Sequence, residues 1–146
     1  MDKPRPIVSA ALICERIIQE KDDAITLVRI ADRVQYSIEG QGLPEGIKPM
    51  IGVQCFISLK SGPMTGAHEM KMFLENPIGG RKEVAKFNVH LLGREQGQNL
   101  IININLGVDH DGLYWFDVLF DDEPLTKIPL LVTATPKQAA NLDKKD

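Results

Sequence analysis

The side chains equipped for chemistry are three histidines, two cysteines and two acidic loops, and each group fails a test of spacing. His68, His90 and His110 lie far apart in the chain. On an extended strand His68 and Glu69 point to opposite faces, so they cannot form one local acid–base pair. A serine–histidine–aspartate triad would have to be assembled in three dimensions, and no nucleophile elbow is present. Cys14 and Cys55 form neither a CxxC pair nor a cluster with histidine, so a zinc site has no support. They read as two small hydrophobes, reduced and buried. Gly40-Gln-Gly42 with Gly46 has glycines in the manner of a dinucleotide loop, but Pro44 interrupts it and a strand follows where a helix is required. Gly79-Gly-Arg-Lys82 lacks the full frame of a phosphate loop. Both read as turns that use glycine for positive φ.

The acidic loops are the stronger candidates. Asp109 and Asp111 crowd one loop, and Asp121, Asp122 and Glu123 crowd another, as oxygen ligands do around calcium. A single strand separates the two loops. At ~3.3 Å per residue their carboxylates lie roughly 30 Å apart and cannot share an ion. Each loop reads as a solvated turn. No catalytic residue, cofactor or metal ligand is assigned, and an enzyme is disfavoured.

The elements that carry these residues are read from punctuation and alternation. Turn-forming clusters recur at 22–23, 40–46, 61–63, 76–80, 93–98, 109–112 and 121–124, and the segments between them are rich in β-branched residues. Regular short segments of this kind are the pattern of an all-β sandwich or barrel. Alternating apolar positions support strands over 25–38, 50–60, 67–75, 85–91 and 100–106, followed by 113–120 and 125–133. Asp32 is the one exception in the apolar phase of 25–38. Segment 7–20 is apolar in both phases. Its β-branched residues Ile7, Val8, Ile13, Ile17 and Ile18 favour an eighth strand, with a helix started by Ser9 as the alternative. The expectation is an immunoglobulin-like antiparallel β-sandwich of about eight strands over 1–135, with 136–146 as a flexible charged tail.

The most specific local pattern is Asp111-Gly-Leu-Tyr-Trp-Phe116. In an immunoglobulin-type sandwich a tyrosine near the start of the sixth strand turns its hydroxyl back to the preceding corner, and the residue two positions on points into the core. Tyr114 takes the first role here. Phe116 takes the second, as an aromatic plug where antibody domains place a disulfide cysteine.

Residues 11–34, which begin Ala11-Leu-Ile-Cys-Glu-Arg16, together with Gly112-Leu-Tyr-Trp-Phe-Asp-Val118 and Ile128-Pro-Leu-Leu-Val132, resemble an uncharacterised bacterial family of small immunoglobulin-like β-sandwich proteins, a domain of unknown function. The resemblance covers nearly the whole chain outside the tail. It implies a β-sandwich and offers no catalytic residue to carry over.

Composition bounds the partners. The chain has 146 residues, a formal net charge of −3 and no concentrated basic patch, which disfavours nucleic acid. No apolar run reaches the roughly 18–20 residues of a membrane helix. Lys3 and Arg5 before an apolar stretch ending at Cys14 have the outline of a lipoprotein signal, but Pro6 and Ile13 do not fit one. The chain is read as unprocessed and cytoplasmic. If Tyr114, Phe116, Val118 and Phe120 face inward, Leu113, Trp115 and Leu119 face outward. With Leu131 on the last strand and Phe56 on a neighbouring one they would form an apolar patch on one sheet. The expected function is a non-catalytic binding or assembly module that takes a protein partner, or a second copy, through that face. The alternatives are a structural subunit of a larger particle, such as a phage-like or secretion assembly, and a small hydrolase or ligand-binding protein.

Overall fold

The computed structural model describes residues 4–37 and 48–135. The 40–46 glycine loop and the 136–146 tail anticipated from the sequence lie outside the described residues. Among the described residues the regular elements are all strands: β1 (Ile7–Gln19), β2 (Ile25–Ile30), β3 (Arg33–Tyr36), β4 (Met50–Glu75), β5 (Arg81–Gly107), β6 (Gly112–Phe120) and β7 (Glu123–Ala134). The first segment is a strand, so the helical alternative falls. Its apolar residues on both phases are explained by its place beside β2 and β4, where Ile13 enters the core and Cys14 is buried on the other face.

The strands form one hydrogen-bonded sheet in the order β2-β1-β4-β6-β7-β3, with β5 paired to β4. The sheet folds over on itself because β4 and β5 each turn a corner. Residues 50–60 of β4 pair with β1 and with 97–107 of β5, and residues 65–75 pair with 81–92 of β5 and with β6. The first layer is therefore β2, β1, and these halves of β4 and β5. The second comprises the other halves with β6, β7 and β3. Strand neighbours A-B-E and C-F-G define the immunoglobulin sandwich. The same neighbours recur in β1, 50–60 and 97–107, and in 65–75, β6 and β7. Segments 61–63 and 93–98, expected as turns between separate strands, are corners at which paired strands change layer, as bent strands do in sandwiches.

Glycine makes the corner possible. Gly62, Gly66 and Gly93 have positive φ, and register shifts fall between Lys60 and Thr65. Gly97 lies flat against the facing strand, where a Cβ would come within 1.8 Å of the Leu59 carbonyl oxygen. Ser61 is buried in the same bend, and its Oγ has no hydrogen-bond partner among the described residues.

A second crossing closes the opposite side of the sandwich. The expected strand 25–38 breaks at Ala31 and Asp32. Ala31 donates its amide to the Ile13 carbonyl in the first layer, and the Asp32 carbonyl accepts from the Leu131 amide in the second. Beyond it β3 pairs in parallel with β7, Arg33 opposite Leu131. Between the layers pack Ile13, Cys55, Ile57 and Leu59 from one side and Met70, Met72, Phe116, Val118 and Leu130 from the other. Cys14 and Cys55 are free and buried, and burial pushes the Cys55 thiol up to about 12.

Gly97→Ala is expected to lower stability by about 1–3 kcal/mol, because the strand pair must separate at the corner. Gly52→Ala, whose Cβ would meet nothing closer than 3.6 Å, serves as the neutral control in the same urea titration. Ser61→Ala removes an unpaired buried hydroxyl and is expected to leave the melting temperature unchanged or to raise it.

Candidate functional site

His68 and the acidic loops are held by structural contacts. His68 sits at the start of the second-layer half of β4, stacked on Phe120 with ring centroids 4.9 Å apart. Its Nδ1 lies 2.6 Å from the Asp121 carboxylate and its Nε2 lies 2.9 Å from the Thr65 carbonyl. Both partners are acceptors, so both ring nitrogens must donate, which only the imidazolium can do. The hydrogen bond to Asp121 is the main cause that raises the His68 pKa from its ordinary 6.5. While the ring is protonated, both nitrogens are engaged in these contacts. The pair pins β4 to the β6–β7 turn, where Asp121 also accepts from the Glu69 amide.

The acidic loops are used in the same way. Asp121 and Asp122 both have positive φ, as the central residues of a type I′ hairpin do. Asp122 pairs with Lys71 at 2.9 Å. At the other end of β6, Asp111 accepts from the Tyr36 hydroxyl and the Ala134 amide, and Asp109 pairs with Lys48. The Asp111 contact raises the Tyr36 phenol to about 12 and lowers the Asp111 carboxyl. Among the described residues, no three of His, Cys, Asp and Glu converge closely enough to hold a metal ion. An open cavity of about 230 Å³ at this end is lined by Lys48, Asn76, Arg81, Lys82, Asp109 and Tyr114. Two of its cations are already committed, Lys48 to Asp109 and Arg81 to Glu75 and Asp117.

Tyr114 is almost fully buried, and its hydroxyl donates to the His110 carbonyl at 2.7 Å. This is the geometry of the tyrosine corner, in which a side chain pins the loop entering the sixth strand. Phe116 lies wholly inside the core.

The outer face of the second layer carries the exposed Leu113 and the half-buried Trp115, Leu119 and Leu131. Leu113 pairs with Leu131, and Trp115 with Pro129 on one side and Glu75 on the other. Leu119 stands on the same face but at the far end of β6, beyond Asp117, opposite Pro124 and Lys71. Phe56 does not join them. It belongs to the first-layer half of β4, pairs with Leu12 and Ile101, and is only 7% exposed. The expectation of one five-residue patch is corrected on this point: the strand beside β6 is 65–75, because β4 has turned the corner by then.

Charge frames the patch. Arg81 reaches Glu75 at 2.6 Å and Asp117 at 2.8 Å while its guanidinium covers the Phe73 ring at 4.3 Å. Lys127 lies 5.4 Å from the Trp115 ring centre and pairs with Glu75 at 3.7 Å. Sequence reasoning missed Arg81 and Phe73. The available signal was the pair Glu75 and Arg81, opposite charges flanking the Asn76-Pro-Ile-Gly-Gly80 turn.

No family model matches the chain, and no curated protein matches it. Among solved structures it is similar to the CARDB domain of the PF1109 protein from Pyrococcus furiosus, crystallised with di-metal ions. That match has 9% identity and a TM-score of 0.44, over 89% of this chain and 96% of that one. It is also similar to part of a β-glucosidase from Listeria innocua, at 9% identity and a TM-score of 0.48, over 91% of this chain and 17% of the enzyme. The same enzyme with isofagomine gives 10% identity and a TM-score of 0.46. The metal ions and the isofagomine belong to those proteins. No helix among the described residues is long and apolar enough to cross a membrane. What the sequence resemblance implied and the structure carries is an all-β, immunoglobulin-like sandwich.

Two measurements check the structural contacts. A raised imidazole pKa means the folded chain holds the proton more tightly than the unfolded one. The stabilisation is complete below the unfolded value, near 6.5, and is lost as pH rises through the higher folded value. The wild type should therefore lose more melting temperature between about pH 6 and pH 8 than His68→Gln does. Tyr114→Phe should cost about 1 kcal/mol, a fall of a few degrees in melting temperature, with the near-ultraviolet spectrum of Trp115 retained.

Proposed function

We propose that the chain is a non-catalytic protein-binding module that takes its partner on the outer face of the second layer, at Leu113, Trp115, Pro129 and Leu131. The observation that supports this reading is the standing of Trp115 beside two leucines on a platform whose surrounding charges are paired with one another. Tryptophan and arginine are the residues that most often dominate protein–protein contacts, as anchors ringed by contacts that exclude water. Here the ring is the Arg81–Glu75–Lys127 ladder. Its pairs are satisfied before a partner arrives, so covering the face strands no lone charge. Leu113 is 42% exposed, and Pro129 is exposed beside it.

The test is a photo-crosslinker at position 113 in the intact chain, expressed in its native host. The reading expects a cross-link to one protein species, with the purified partner bound about 30-fold more weakly by Trp115→Ala, a loss of roughly 2 kcal/mol. Binding unchanged in a Trp115→Ala variant that melts like the wild type would remove the proposal.

A further inference from the structure

Among the described residues the two layers have four outer strands, and three of them are guarded. The edge β3 has only four residues. The edge β2 has six, and Arg29 near its end is turned into the left-handed region at φ 57. Residues 81–92 of β5 carry Arg81, Lys82, Glu83 and Lys86, and their pairing is broken by an irregularity opposite Met72 and Phe73. Short length, charge and irregular backbone are the ordinary means of preventing one sheet edge from adding to another.

The fourth edge has none of these. From Gln96 to Val108 the chain contains no charged residue and no proline. Its register with β4 runs unbroken from Gly97 opposite Lys60 to Gly107 opposite Met50. Among the described residues β5 pairs with β4 alone, so its outer side has no strand neighbour. Asn99, Ile101, Asn103 and Asn105 are exposed on the outer face, Ile101 by 40%. Leu100 and Ile102, on the inner side, are only partly buried and sit at the margin of the core.

We infer that this edge binds a second copy of the chain by antiparallel pairing of residues 97–107, which continues the first layer across a two-fold axis. The choice of a second copy rests on how the strand matches itself. Its midpoint is Ile102, and a two-fold axis there sets the apolar inner residues nearest the axis, Leu100, Ile102 and Ile104, against one another. On the inner side Ile102 meets its own counterpart and Leu100 meets Ile104 of the partner subunit, so the partly buried margin of the core is completed. On the outer face Asn99 meets Asn105 of the partner subunit, and Ile101 meets Asn103 of the partner subunit. A strand bearing charge near its middle would set like against like at the axis; this one has no charge to oppose. Pairing at the edge leaves Trp115 and its face free, so a dimer would present two such faces.

Sedimentation of the intact chain over micromolar to millimolar concentration tests the inference. Wild type is expected at twice the monomer mass, and so is Trp115→Glu, while Ile101→Lys combined with Asn103→Lys is expected at the monomer mass with an unchanged far-ultraviolet spectrum. If the lysine variant does not fold, Ile101→Cys with Asn103→Cys replaces it. Across the axis those two positions oppose each other, and mild oxidation should give a disulfide-linked dimer that runs at double mass without reductant. A wild type that stays monomeric at the highest concentration overturns the inference, including the case in which the edge takes a foreign peptide. So does a dimer lost with Trp115→Glu and kept with the edge lysines, or one that the cysteines fail to link.

Discussion

The corner at residues 60–66 and 92–98 is the constraint on which the rest of the molecule depends. Two strands pass together from one layer to the other through two register shifts, with Gly62 still paired to Arg94 between them, since an unpaired buried backbone group costs as much as a lost bond. They do so by giving up side chains. Gly62, Gly66 and Gly93 take backbone angles that other residues resist, and Gly97 lets one strand lie against the carbonyl of Leu59. Because the corner fixes which half of β4 faces β6, it also fixes which side chains share the outer face with Trp115.

Polar chemistry in this chain serves to hold elements in place. His68 and Asp121 join a strand to a hairpin, and Asp111 joins Tyr36 to the end of β7. Tyr114 locks the loop before β6. Each contact consumes the lone pairs or protons that a reactive site would need to keep available. The Arg81 ladder differs only in lying on an exposed face, where its aromatic and aliphatic neighbours give it something to frame.

Most of the fold was legible because alternation is a local property. The inward set Tyr114, Phe116, Val118 and Phe120 followed from period two, and the register of β6 agrees with it. Asp32, the misfit in an otherwise apolar phase, marked the place where the chain leaves one layer for the other. The corner was not legible. Ser61-Gly-Pro63 has the composition of a turn, and nothing local tells a turn that ends a strand from a bend that carries it onward. Phe56 was misplaced for that reason alone: its facing was a local inference, but its neighbours were set by a bend. The cover of Phe73 by Arg81 was equally hidden, because it depends on contacts that appear only after the 76–80 turn has closed.

The crossing at Ala31 and Asp32 bears on how the chain comes to be folded. Arg33 finds its neighbour only when Leu131 has been made, so the β3 edge of the second layer stays open until β7 has been synthesised. Pairings this distant in sequence are slow to form, and the wait is spent with apolar surface uncovered. The hairpin of β1 and β2 is local and can form early. The closing of the sandwich waits for β7, and until then the apolar inner faces of the earlier strands are uncovered.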